Sequence, residues 1–217
     1  MMITDCKQHE WRLASTSPPV ISFQNVQSSH GHQSTTTWQF IMINIDIERP
    51  QDIPLVQQVI IEAFGSAEEA LLVNKLREDA AWIPTLSLVA RDKQGTIVGH
   101  AVCTRASVGL HPAVTLAPVS VHPAYQGVGI GSALVIAIIE AACDAGEKLM
   151  TVLGHPDYYP RFGFQPASAY GVICQLNDGP DAAKMIMSLD NSAIPGGNMG
   201  FCKPMTEAIQ AWQPDHA

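Results

Sequence analysis

The sequence predicts an α/β fold, an α+β mixed sheet flanked by helices, and three observations carry that prediction. Stretches such as IMINIDIERP (41–50) alternate apolar and polar residues with the period of half-buried strands. Others, such as IPLVQQVIIEAF (53–64), place apolar residues at helical spacing. The predicted order, β-α-α-β-β-β-α-β and onward, interleaves the two types as a sheet covered by helices requires.

Residues 1–40 stand apart. The segment LASTSPPVISFQNVQSSHGHQSTTTWQ is rich in Ser, Thr, Gln and Pro and lacks sustained periodicity, which predicts a poorly ordered extension. His30 and His32 within it read as a metal-binding pair or as two histidines of a tail, and no third ligand stands near them. The folded domain is expected over 41–217, and Met42 offers an alternative start.

The first strand, IMINIDIERP, ends at Pro50. Asp52 is a candidate cap for the first helix, which Gly65 stops. Ser66 and Glu69 have the spacing of a capping box and open a second helix over about 67–79. LSLVARDKQGTIVGHAVCTRASV (86–108) reads as two strands joined by a turn at Asp92–Gly95. AVTLAPVSV is a third strand, followed by a glycine loop, a helix to about Ala145 and the short buried strand LMTVLG. Among the Pro- and Gly-rich remainder, AKMIMSL is a late strand.

Composition removes several functions. With 12 basic against 20 acidic residues, a net charge of −8 and no Lys/Arg block, a nucleic-acid surface is not expected. Neither a basic-plus-apolar leader nor an apolar run of membrane-spanning length is present. Five dispersed cysteines without a C-x-x-C pair read as reduced thiols. A cytoplasmic protein without membrane partners is therefore expected, its oligomeric state open and a homodimer among the alternatives.

The chemistry concentrates in YQGVGIGSALVIAIIEAACDAG (125–146), where Gly127, Gly129 and Gly131 precede an apolar helix. A P-loop is excluded, because no Lys follows the glycines as G-x-x-x-x-G-K-[ST] demands. A dinucleotide fingerprint fits poorly, since Ser132 stands at the third glycine and several elements precede the loop. A plain glycine turn before a core helix stays open. Gln126, Gly129 and Gly131 also meet the pattern Q-x-x-G-x-G after the strand V-S-V-H-P. Glycines let successive backbone N–H groups converge on one anion, and the helix N-terminus adds positive potential.

That pattern resembles the acetyl-CoA-binding motif of the GCN5-related N-acetyltransferases (GNAT), in particular a YhbS-like bacterial subgroup. The likeness extends to LGHPDYYPRFGFQPA (153–167), similar to the Y-x-x-x-G-F element of that family, and covers about residues 41–205. It implies a splayed, mostly antiparallel sheet opening between Val114–Val121 and Leu149–Leu153. Acetyl-CoA would lie in the opening as co-substrate, its pantetheine arm on the backbone of Val119 and Val121. Its diphosphate would lie on Gln126, Gly127, Val128, Gly129, Ile130, Gly131 and Ser132, with no metal.

The implied reaction is acetyl transfer to a primary amine of a small molecule or peptide. A backbone N–H near Val119–Val121 would stabilise the oxyanion, and Tyr159, four residues before Gly163, would protonate the leaving thiolate. Tyr158 is the competing donor, and Arg161 caps the local turn or lies over the phosphates. His100 is the leading base candidate, with His111, His155 and Glu62 as others, and water can relay the proton. The family's usual Asn seven residues before the tyrosine is Val152 here, so its contact is not carried over. A non-catalytic acyl-CoA sensor or partner-binding module is the alternative function.

Overall fold

The computed structural model describes residues 20–26, 37–176 and 179–211. Within the segment expected to be a poorly ordered extension, β1 (Val20–Val26) and β2 (Thr37–Met42) pair antiparallel as a separate two-stranded sheet. Its Ser/Thr/Gln-rich composition gave no periodic sign of that pairing. The predicted strand over 41–50 is divided: Ile43 turns fully into the core, and β3 (Asn44–Ile47) joins the main sheet.

Helix α1 (Ile53–Phe64) ends at Gly65, whose φ of 71° is left-handed. Asp52 does not cap it in the expected way. Its carboxylate accepts from the Arg49 N–H (2.9 Å) and from Arg91 Nη2 (2.6 Å), tying the helix start to the sheet. Ser66 opens α2 (Glu68–Glu78) much as expected, accepting from the Glu68 N–H and donating to Glu69 Oε2.

The predicted hairpin is β4 (Trp82–Arg91) and β5 (Ile97–Val108), turning where Asp92 Oδ1 accepts the N–H groups of Gln94 and Thr96. Then come β6 (His111–Val121), α3 (Ile130–Asp144) and β7 (Leu149–Leu153). Two short strands, β8 (Gln165–Pro166) and β9 (Val172–Ile173), precede β10 (Lys184–Ser188), β11 (Gly197–Phe201) and α4 (Lys203–Ala211). The nine-stranded sheet runs β3-β4-β5-β6-β7-β10-β8, with β11 beside β5 and β9. Its pairings are antiparallel except β6–β7 and β9–β11.

Helices cover both faces. On one, Val56, Ile60, Val73 and Leu76 of α1 and α2 join Met205 and Ile209 of α4 against Val89, Val102 and Ala117. On the other, Ile130, Leu134 and Ile138 of α3 pack on Leu88, Ala101, Cys103, Val114 and Met150. Strand β5 is buried on both faces from Ile97 to Thr104, and it includes a histidine. Cys103, Cys174 and Cys202 carry free thiols, whereas Cys143 is disulfide-bonded, which corrects the reading of five reduced cysteines.

A polar chain crosses the first face. Arg77 on α2 binds Glu48 Oε1 through Nη2 (2.6 Å) and Nε (3.0 Å), and Glu48 Oε2 accepts from the Ser87 hydroxyl. His100 Nε2 lies 3.0 Å from Ser87 Oγ and 3.3 Å from Glu48 Oε2. Burial alone would raise the Glu48 carboxyl, but the contacts with His100, Ser87 and Arg77 hold it well below the usual range. Burial pushes His100 down, so its ring is neutral at neutral pH. The chain couples α2 to two central strands through groups that each need the next.

Removing Arg77 leaves a buried carboxylate without its charge partner. Arg77→Ala is expected to destabilise the fold by about 3–5 kcal/mol at neutral pH in chemical denaturation. The Glu48 carboxylate then gains by taking a proton, so the deficit should shrink as pH falls toward about 4.5. A deficit that stays constant with pH would locate the damage elsewhere.

Candidate active site

The site begins where two parallel strands part. β6 and β7 pair through Val114–Met150, Thr115–Thr151 and Leu116–Val152, and there the pairing ends. β6 continues to Val121 along β5 alone, with a register shift between the pairs Cys103–Leu116 and Ala101–Val119. Ala117 and Pro118 of β6 stand opposite the single Val102 of β5, one residue more than the partner, and a proline suits such a bulge because it has no N–H to pair. The His122 N–H donates to Val98 O on β5 (2.9 Å). Backbone alternation therefore turns the polar groups of Val119 and Val121 away from β5, into the opening.

Those groups are not all idle. Gln126 Nε2 donates to Val121 O at 2.9 Å, so the Gln126 side chain folds back on the strand. The sequence offered no means of seeing this contact, because a glutamine's reach depends on the turn that carries it.

The turn itself matches the expectation for an anion cradle. Gly127 and Gly129 have φ of 75° and 88°, and Gly129 is the N-cap of α3. Val128 and Ile130 bury their side chains in the core below, leaving backbone as their contribution above. The Ala133 N–H bonds Gly129 O (3.0 Å), so the N–H groups of Ile130, Gly131 and Ser132 in the first turn lack intrahelical acceptors. Such donors at a helix N-terminus suit a phosphate.

Two tyrosines close the opposite wall and differ sharply. The Tyr159 ring lies against Gly154 at the end of β7, so close that a Cβ there would stand 2.5 Å from its Cε2. Phe164 and Tyr158 are both edge-on to the Tyr159 ring, at 5.7 Å and 5.2 Å between centroids. Burial, with Tyr158 and Cys103 nearby, pushes its phenol up to about 12. Tyr158 instead points at the glycine turn, its Oη 3.1 Å from where Gly131 would carry a Cβ. The Arg161 guanidinium lies over the Tyr158 ring at 4.6 Å and its Nε donates to Tyr158 O.

The base candidates scatter. His100 is fully buried, and its Nε2 faces Ser87 and Glu48, on the side of β5 away from β6 and β7. Its Nδ1 has no hydrogen-bond partner among the described residues. His111 is exposed at the start of β6, the end farther from the glycine turn, and His155 is exposed just after β7. Glu62 on α1 meets His122 Nε2 at 2.8 Å and accepts from Gln58 Nε2 at 2.9 Å. His122 went unnoticed in the sequence, although V-H-P directly follows the predicted pantetheine strand. His30 and His32 lie outside the described residues. Among the described residues no group of three His, Cys, Asp or Glu is placed to hold a metal. No helix among them is long and apolar enough to cross a membrane.

Comparison with known proteins accounts for this arrangement. The model of the acetyltransferase (GNAT) domain matches residues 84–166, which run from β4 to β8 and contain the whole opening. The uncharacterized N-acetyltransferase YjhQ of Escherichia coli is 42% identical over 120 residues, covering 52% of this chain and 64% of YjhQ, less than two thirds of its length. YhbS, an uncharacterized N-acetyltransferase of the same species, is 32% identical over 154 residues, covering 70% of this chain and 90% of YhbS. The crystal structure of E. coli YhbS in complex with CoA superimposes with a TM-score of 0.71 at 28% identity, over 80% of this chain and 96% of that one. A GNAT-family acetyltransferase from Brucella melitensis in complex with acetyl-CoA gives 0.62 at 30% identity, over 75% and 97%. With the opened β6 edge, the glycine turn and these relatives together, the chain belongs to the GNAT family of acetyltransferases.

Proposed function

We propose that the protein moves an acetyl group from acetyl-CoA to a primary amine of a small molecule or peptide, by direct attack on the thioester. The observation that carries the reading is the edge of β6 left without a strand partner beyond Leu116, followed through a short 3₁₀ turn (Pro123–Tyr125) by the glycine turn and α3. That edge offers amide-pairing groups at Val119 and Val121, and the turn offers anion donors one helical turn wide. Pantetheine carries amides and the diphosphate carries charge, in that order along one molecule. CoA and acetyl-CoA occupy the structures of the relatives named above, which supports the assignment.

In this reading Val119 and Val121 hold pantetheine by backbone, as an added strand. Gly127, Val128, Gly129, Ile130, Gly131 and Ser132 receive the diphosphate. Gln126 releases Val121 O or bridges beside it. The amine, with pKa near ~10.4, passes a proton to water before its nitrogen attacks the thioester carbon. The oxyanion is held by backbone N–H on β6, the C–S bond breaks, and amide and thiol are the products.

The Tyr159 ring is largely buried against Gly154, just after β7. Its phenol, at about 12, is a weaker acid than a thiol at ~8.5, so complete proton transfer to the thiolate is uphill. Its service is a hydrogen bond to the departing sulfur, with the proton drawn ultimately from solvent. His100 takes a positioning role, since its ring serves the chain that anchors β4 and β5 to α2.

A non-catalytic acyl-CoA sensor predicts the same binding. Thiol release from acetyl-CoA in the presence of an amine panel separates the two, because the sensor releases none.

The turn is tested by Gly129→Glu, which puts bulk and negative charge into the diphosphate site and is expected to abolish CoA binding in calorimetry. Gly129→Ala is the control, since it carries the same strain at φ 88° without the charge. Equal affinity of a folded Gly129→Glu protein and wild type would remove the diphosphate from this turn. For Tyr159→Phe, the saturated transfer rate is expected to fall ~10–10² fold, the worth of one hydrogen bond to a charged group. Because the phenol keeps its proton far above neutrality, activity should rise with pH as the substrate ammonium loses its proton and show no descending limb up to about pH 10. A descending limb near pH 8 would assign the titrating acid to another group.

A further inference from the structure

The glycine turn has an electrostatic gap. YQGVGIGS, residues 125–132, contains no Lys or Arg, although the proposed ligand brings a diphosphate to it. We infer that Tyr158 and Arg161, from the segment after β7, complete the diphosphate site across the opening. The inference rests on the acetyl-CoA reading above and assigns the two tyrosines different tasks.

Four observations place the pair. Tyr158 Oη lies 3.1 Å from the position of the missing Gly131 Cβ, and Val121 Cγ2 lies 3.7 Å from the same point. The hydroxyl therefore sits beside the first turn of α3 where β6 ends, the turn that carries the N–H groups without intrahelical acceptors. The ring is fixed from three sides: edge-on contacts to Tyr159 (5.2 Å) and Phe162 (5.3 Å), and Arg161 at 4.6 Å. The Tyr158 hydroxyl makes no hydrogen bond among the described residues, whereas that of Tyr125 is committed to Asp92. Arg161 is held to the same segment by its bond to Tyr158 O, so the cation and hydroxyl move as one unit.

A phenol held over a helix N-terminus can donate to an anion that the helix N–H groups also bind. A guanidinium stacked on the same ring adds the positive charge that the loop lacks. The contact is tight, and a methyl at position 131 would shift the Tyr158 hydroxyl by a few tenths of an ångström. The neighbour Tyr159 faces Gly154 and Phe164 instead, which keeps it with the thioester end.

The test is a double-mutant cycle read by calorimetry with CoA. Tyr158→Phe keeps the ring and its stacking, and is expected to weaken CoA binding about tenfold, as loss of a hydrogen bond to a charged group does. Arg161→Ala is expected to weaken it similarly and to flatten its salt dependence. In a Gly131→Ala background, where the methyl shifts the hydroxyl, Tyr158→Phe should cost less than tenfold. In turnover the Tyr158→Phe loss should fall on KM for acetyl-CoA, whereas the Tyr159→Phe loss falls on kcat. Wild-type affinity in Tyr158→Phe overturns the inference alone, as does a full tenfold loss added on top of Gly131→Ala. Wild-type protein that fails to bind CoA overturns the acetyl-CoA reading, and this inference with it.

Discussion

Everything at the site follows from a sheet that declines to stay closed. β6 and β7 run parallel for three paired residues and then separate, and the Ala117–Pro118 irregularity is where the separation starts. Unpaired backbone polar groups are costly when shut away from water, so an opening of this kind persists only where something else meets them. Here the opening is flanked by the part of β5 that is buried from Ile97 to Thr104 and by α3, whose apolar face grips the same strands from below. The rigidity of the closed part is what allows the open part to exist.

The buried chain from Arg77 through Glu48 and Ser87 to His100 belongs to that rigidity. It joins α2 to β4 and β5 on the face opposite α3. Pure hydrocarbon packing would stabilise as well or better, but it would not fix one register of α2 over the sheet. The histidine that looked like a base in the middle of an apolar strand thus has a structural occupation. Its full burial is the physical reason, since a group exchanging protons with a substrate needs a route to it.

Much of this was legible in the sequence because the signals are local. Alternation marked β4, β5 and β6, Gly65 marked the end of α1, and the glycine spacing marked the turn before α3. The Ser66–Glu69 spacing also kept its meaning in three dimensions. What escaped were contacts between distant segments. Asp52 looks like a helix cap until Arg91, 39 residues later, takes its carboxylate. Tyr158 and Tyr159 are indistinguishable as neighbours in a string. One faces Gly131 and the other Gly154 only because a 3₁₀ turn over Tyr159–Phe162 aims them apart. The β1–β2 pairing escaped for another reason: its segment carries polar residues where a periodic apolar face would have announced a strand.

In the proposed acetyl-transfer reading, the bond from Gln126 to Val121 O has a bearing on turnover. A carbonyl that is already satisfied in the empty protein gives a ligand little net energy, since one hydrogen bond is exchanged for another of similar worth. The contact then selects ligands by fit rather than by strength of grip. An acyl carrier must depart as a spent thiol after every cycle. A side chain on hand to reclaim the vacated carbonyl lowers the cost of that departure, and so favours product release over retention.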